Sequence, residues 1–224
     1  MRAAVLVFPG SNCDRDIATA LRVACGAHVS FVDGDEETLP EAALYVLPGG
    51  FSWGDYLRCG AMAARQKATK ALKAKAEQGA RILGICNGFQ ILIECGLLPG
   101  ALVKNKNLTF ICKKQNLKVE NNRILNGKLK GATLSLPIAH SEGRYIADDQ
   151  TLRTLAANQQ IAMRYGTGGT GSTDDNPNGS VDNIAALTNR RGTILGMMPH
   201  PERALYDWHG SCDGKRFLQA FCSS

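Results

Sequence analysis

In the first half of the chain, short apolar runs of strand length alternate with stretches of helical periodicity, and no other feature limits the possible folds as much. Ala3 to Phe8 is an apolar run, and Ile17 to Cys25 carries apolar residues at helical spacing until Gly26 stops it. His28 to Val32 and Leu44 to Leu47 predict two more strands, the second running into Pro48-Gly49-Gly50. The Ala- and Lys-rich segment from Ala61 to Gln78 predicts a long helix ended by Gly79; Arg81 to Ile85 predicts a strand and Phe89 to Glu94 a helix. Strands joined through helices by short connections pair in parallel, and a parallel sheet must be covered on both faces. The expected class is therefore α/β, with its chemistry beyond the carboxyl ends of the strands.

The second half is less regular. Leu108 to Val119 and Thr133 to Ile138 predict strands of mixed or antiparallel pairing, and Gln150 to Ala157 a short helix. Gly166 to Asn183 is rich in Gly, Asp and Asn and predicts an exposed loop, followed by two β runs, Ile184 to Thr188 and Thr193 to Met197, about a turn at Asn189 to Gly192. With no repeat and no linker, residues 1–224 are expected to form one domain.

Composition removes several classes of function. At 44% hydrophobic and 21% charged residues the chain is neither disordered nor collagen-like, and none of its apolar runs approaches the ~20 residues of a membrane span. Eight cysteines without a C-x-x-C pair or a metal-like cluster suggest reduced thiols and a cytoplasmic protein, in which the sequons at Asn107 and Asn178 stay unmodified. A net charge of +6 permits nucleic-acid binding, but Lys67, Lys70, Lys73 and Lys75 lie opposite Ala64, Ala68, Ala71 and Leu72. They read as the solvated side of an amphipathic helix, and no nucleic-acid module is recognisable. Gly166 to Gly171 spells G-x-G-x-x-G, yet the loop-forming Ser172 to Gly179 that follows provides no helix N-terminus for a pyrophosphate.

The sharpest chemical signal is Gly84-Ile85-Cys86-Asn87-Gly88, set between an apolar strand and a helix. A nucleophile at such a turn is held in a strained, exposed position, and the glycines let neighbouring backbone approach. The helix N-terminus favours the thiolate, and the backbone N–H of Asn87 points where an oxyanion would form. A cysteine at a strand end is more often a structural core residue; the Gly-x-Cys-x-Gly frame favours the nucleophile. Such a thiol needs a proton carrier, and His200, in Met198-Pro199-His200-Pro201-Glu202 directly after a strand, is the candidate, with Glu202 two residues on to orient it. The Gly50 N–H, in the Gly-Gly turn after Leu47, is the candidate second oxyanion donor. His28 reads as structural, and His209 beside Trp208 is ambiguous.

Gly84-Ile-Cys86-Asn-Gly88-Phe-Gln90, the Gly49-Gly50 loop and Pro199-His200-Pro201-Glu202 together resemble the class I, or triad-type, glutamine amidotransferases. Phe8 to Asp14, Gly49 to Gly60, Ala139-His140-Ser141-Glu142-Gly143 and Asn176 to Ser180 resemble one branch of them, the small stand-alone glutaminase subunits of phosphoribosylformylglycinamidine synthase. The resemblance implies a flavodoxin-like, mostly parallel sheet flanked by helices, with some antiparallel strands in the second half. It implies hydrolysis of L-glutamine to glutamate and ammonia through a Cys86 thioester, with His200 as proton carrier and Glu202 orienting it. Gln90 matches a position that helps hold the substrate, and Gly50 and Asn87 match the oxyanion hole. Ammonia would pass to a synthetase subunit, which converts formylglycinamide ribonucleotide to formylglycinamidine ribonucleotide in purine biosynthesis. No cofactor is expected on this chain; ATP and Mg are expected in the synthetase, and a small companion subunit completes the implied complex. His140 matches a family motif without an assigned role. Trp53 replaces an expected Tyr and Ser141 an expected Gly, both beside predicted loops. Two rival readings fit less well: PfpI-type Cys-elbow proteins, whose histidine follows the nucleophile closely, and a catalytically silent subunit, which the intact triad disfavours.

Overall fold

The structure is a computed structural model and describes residues 1–125, 127–167 and 175–223. In chain order the elements are β1 (Arg2–Val7), α1 (Asp14–Cys25), β2 (His28–Asp33), β3 (Leu44–Leu47), α2 (Lys67–Glu77), β4 (Ile82–Ile85), α3 (Asn87–Glu94), β5 (Ala101–Val103), β6 (Ile111–Val119), β7 (Thr133–His140), β8 (Arg144–Ile146), α4 (Asp149–Ala157), β9 (Ile161–Tyr165), β10 (Ile184–Thr188), β11 (Ile194–Met197) and α5 (Asp213–Cys222). Nine strands form one sheet in the order β2-β1-β3-β4-β11-β10-β9-β6-β7, and β5 pairs with β8 in a small second sheet. From β2 to β11 every neighbour is parallel; from β11 through β7 the pairing is antiparallel.

The parallel strands are buried on both faces, as the fully buried runs of β3, β4 and β11 demand. The connection from β1 to β2 moves along the sheet one way and that from β3 to β4 the other, and right-handed crossovers then put α1 and α2 on opposite faces. α1 packs on α5, while α3 lies on β3, β4 and β11. The reversal falls at β1 and β3, so the segments leaving their carboxyl ends open a crevice at a topological switch point. They are tied there: Ser11 bridges Gly50, and the Phe51 N–H donates to the Gly10 carbonyl at 2.9 Å.

The predicted α/β grammar is present with local corrections. The helix expected from Ala61 starts at Lys67, because Gln66 is extended (ψ 157°) after a 3-10 turn at Ala63–Arg65. The buried Thr69 hydroxyl donates to the Ala63 carbonyl at 2.7 Å, a tertiary tie that overrides helix propensity. Its lysine face is solvated as expected: Lys67 pairs with Glu37 at 2.9 Å and Lys75 with Glu41, while Ala68, Leu72 and Ala76 are buried. Leu108 sits at φ 57° in a turn, which delays the predicted strand to Ile111. Of the loop expected to be exposed, residues 168–174, and with them most of the Gly166–Gly171 motif, lie outside the described residues, but Asn178 and Ser180 are buried, contrary to that expectation. β5, β8, β9 and α5 have no counterpart among the predicted elements. All eight cysteines are free thiols. Among the described residues no helix is long and apolar enough to cross a membrane.

Candidate active site

The site is assembled from the carboxyl ends of β3, β4, β7 and β11. β4 delivers its buried run straight into Cys86, whose φ of 50° and ψ of −105° form the strained corner from which α3 departs. Two glycines permit this corner. A Cβ on Gly88 would stand 2.0 Å from the Leu47 carbonyl oxygen, and one on Gly84 would stand 2.5 Å from the Leu92 side chain and 2.7 Å from the Gly88 carbonyl. The Cys86 N–H is fixed to the Met197 carbonyl at 2.7 Å, and Sγ donates to the Ala139 carbonyl at 3.6 Å.

β11 leads through Met198-Pro199 to His200, whose N–H is anchored on the Pro137 carbonyl at 2.8 Å. Pro201 opens a 3-10 turn, Pro201–Arg203, that brings Glu202 back beneath the imidazole, and α5 packs against this turn. Glu202 Oε1 accepts from His200 Nδ1 at 2.6 Å, with both side chains almost completely buried. Burial alone would depress the imidazole's pKa; the Glu202 carboxylate and then the Cys86 sulfur outweigh it, so His200 is held well above its ordinary value and is a ready acceptor for the Cys86 proton. His200 Nε2 is buried without a partner, which leaves it free to serve a reacting group.

A small cavity lies in front of Cys86, lined by Gly50, Asp55, Gln90, His140 and Glu142 among others, with about 10 Å³ of free space. That is room for about one water. Gly50 faces it at φ 151°, and the bridge to Ser11 uses the N–H of Phe51, not that of Gly50. Asn87 is the first residue of α3, so its N–H has no acceptor within the helix. The Asn87 side chain braces the walls: Oδ1 accepts from Ser52 N–H at 3.2 Å, and Nδ2 donates to Gln90 Oε1 at 3.0 Å. Gln90 in turn donates to the Glu142 carbonyl at 2.7 Å. All six predicted site residues thus meet at one place, with Gln90 tying the α3 helix to the segment after β7.

His140 receives a definite state. Asn105 donates through Nδ2 to the carbonyls of Thr109 and His140, so the Oδ1 facing His140 Nδ1 at 3.1 Å is an acceptor and Nδ1 carries the hydrogen. Burial, followed by the charge of His200, pushes the His140 pKa down to about 4, and Nε2 is left as a buried, unpartnered acceptor. Three further groups belong to the site: Asp55 and Cys59 in the cavity wall and Asn105 behind His140. Asp55 is held above its ordinary value by burial and by the Glu142 charge, against an opposing hydrogen bond from Cys59. Burial and contact with both carboxylates push the Cys59 thiol far up, so it is a neutral donor and not a second nucleophile. Asn105 is the third; no local pattern marks it. Ser141 lines the cavity, while Trp53, at φ 57°, stands half-exposed on the loop after Gly50. His209 accepts from the Leu205 N–H and stacks edge-on to Tyr206, a structural role.

Comparison with known proteins agrees with this geometry. A CobB/CobQ-like glutamine amidotransferase domain matches residues 1–219. A chain of the PurLQS structure from Thermotoga maritima superposes with a TM-score of 0.86 at 45% identity, covering 99% of this chain and 97% of that one. A Thermoplasma acidophilum protein described as part of a GMP synthase (TM-score 0.64, 18% identity) covers 100% of this chain and 94% of its own. The glutaminase domain of Trypanosoma brucei CTPS (TM-score 0.62, 13% identity), with the same coverage, likewise shares the fold. This chain belongs to the family of CobB/CobQ-like glutamine amidotransferases.

Proposed function

We propose that this chain is the glutaminase subunit of phosphoribosylformylglycinamidine synthase, hydrolysing L-glutamine and handing ammonia to a synthetase subunit that uses ATP and Mg to make formylglycinamidine ribonucleotide. The likeness to the PurLQS chain over nearly the full length of both supports the assignment. The observation that carries the chemistry is the strained Cys86 corner set beside a buried His200–Glu202 pair joined at 2.6 Å. A small companion subunit belongs to the same reading.

The reaction follows from charge placement. Cys86 Sγ, its proton passed to His200, attacks the δ-carbon of glutamine, and the oxyanion is received by the backbone N–H groups of Gly50 and Asn87. The C–N bond breaks as His200 Nε2 gives its proton to the departing ammonia, leaving a γ-glutamyl thioester. His200, now neutral, takes a proton from water; the resulting hydroxide attacks the thioester, and glutamate leaves as the C–S bond breaks. Glu202 keeps the Nδ1–H tautomer and stabilises the imidazolium. His140 Nε2 offers a fixed acceptor in the cavity wall, where Gln90 holds the adjoining segment.

The cavity in front of Cys86 is narrow and is bounded by the segments around Phe51–Asp55 and Ser141–Glu142, which would have to part to widen it for glutamine. Docking of the synthetase supplies a reason for them to do so, and ammonia is then released only where it is consumed. Glutamate formation should accordingly be slow with the chain alone and rise when the synthetase is added. No glutamate even in the complex, or undiminished turnover by Cys86→Ala, would overturn the assignment.

A further inference from the structure

A second cysteine lies against the catalytic pair. Cys13, in the segment leaving β1, is 1% exposed, and its Sγ lies within 4.8 Å of a ring nitrogen of His200 and a carboxylate oxygen of Glu202. Arg203, the residue after Glu202, donates Nη2 to this sulfur at 2.9 Å, while Sγ donates to Asn12 Oδ1 at 3.2 Å. The Cys13 N–H is held by the Gly49 carbonyl at 3.2 Å, and a Cβ on Gly49 would stand 2.8 Å from His200 Cε1 and 3.3 Å from Cys13 Sγ. The missing side chain at Gly49 is what lets thiol and imidazole pack together, beside Gly50.

We propose that Cys13 and Arg203 act as one positioning unit for His200. The sulfur buttresses the imidazole and tethers the guanidinium, and the tethered arginine fixes the turn that carries Glu202. This rests on the glutaminase reading above. Cys, His and Glu are also donors that could hold a soft cation, but the guanidinium already sets a fixed positive charge against the sulfur, and His200 Nδ1 is committed to Glu202. Untethered, the guanidinium would be free to approach Glu202 and weaken its hold on the His200 proton. Contact with the Cys13 sulfur also favours the charged imidazole, after the larger influences of burial, Glu202 and Cys86. Both effects have the same sign: loss of Cys13 lowers the pH at which His200 gives up its proton.

The test is a double-mutant cycle in the synthetase complex with Cys13→Ala, Arg203→Met and both together, and Cys13→Ser as the conservative variant that keeps a small acceptor. Each single change should lower kcat about tenfold with KM for glutamine little altered, and the double variant should be no worse than the poorer single, since the pair acts as a unit. Cys13→Ser should recover most of kcat. Titration of His200 followed by NMR in the isolated subunit should move to lower pH in Cys13→Ala, a readout independent of turnover that a merely space-filling thiol would not produce. Independent, multiplying losses in the cycle, or a Cys13→Ala protein of native fold in which either kcat or the His200 titration is unchanged, would overturn the proposal. Failure of the wild-type complex to hydrolyse glutamine would instead overturn the glutaminase reading.

Discussion

Replacing Glu202 with Gln isolates the charge in the His200–Glu202 pair, because glutamine keeps the volume and an oxygen acceptor for Nδ1–H. The two side chains are 2% and 0% exposed, so solvent does not screen them. At 2.6 Å and an effective dielectric constant of about 20, the bare attraction is roughly 6 kcal/mol, a ceiling from which the desolvation of both groups must be subtracted. The net difference between a charge-assisted hydrogen bond and a neutral one is about 1–2 kcal/mol, so the His200 proton should be lost about one pH unit earlier. The sign follows from the direction of the shift. His200 is raised in the folded wild type, so its charged form contributes stability that is fully present below the unfolded value near 6.5 and is lost as pH rises through the folded value. In Glu202→Gln the folded value drops: the alkaline limb of kcat/KM moves to lower pH, and the extra stability at acid pH shrinks. At neutral pH kcat should fall about tenfold. Glutamate release by the synthetase complex, measured across the pH range, tests this. A fall in kcat with the alkaline limb unmoved would refute the electrostatic reasoning and leave Glu202 a purely steric role.

Gly88→Ala would place a Cβ 2.0 Å from the Leu47 carbonyl, 1.0 Å inside the 3.0 Å limit that real Cβ atoms respect. Since α3 must shift off β3, kcat should drop on the order of a hundredfold as Cys86 leaves register with His200; near-native turnover in a folded variant would contradict the close-approach argument. His140→Asn removes the neutral Nε2 acceptor from the cavity wall, and KM for glutamine should rise about three- to tenfold with a smaller change in kcat. A fall confined to kcat would assign His140 to the chemistry instead.

How much of the fold and site is legible in the sequence differs from element to element. Cys86 and His200 stand out because each sits in a short motif at the end of an apolar strand, where local pattern and tertiary position coincide. Gly50 stands out for the same reason. The groups that complete the site carry no local pattern: Arg203 meets Cys13 across 190 positions, and Asn105 meets His140 only because the segment after β5 folds over the end of β7. Asp55 and Glu142 lie in the Gly49–Gly60 and Ala139–Gly143 segments that carry the family resemblance, but only the fold turns them toward one cavity. Among the elements, the helix expected from Ala61 shows propensity losing to a tertiary tie at Thr69. β9 is five residues with an arginine in it, and α5 buries Phe217, Leu218 and Phe221 against α1 and the His200 turn, partners a linear reading does not see. Asn178 and Ser180 sit in a polar, turn-rich stretch that predicts exposure, yet their side chains are spent on hydrogen bonds to Gly143 and to each other.

The central claim is that one thiol of the eight is the nucleophile. Its most direct test is covalent labelling of the synthetase complex with a diazo-ketone analogue of glutamine, followed by peptide mapping. The account predicts one equivalent of label on Cys86, blocked by excess glutamine and accompanied by loss of glutaminase activity. Label on Cys13, Cys59 or any other cysteine, with Cys86 unmodified and activity gone, would contradict it.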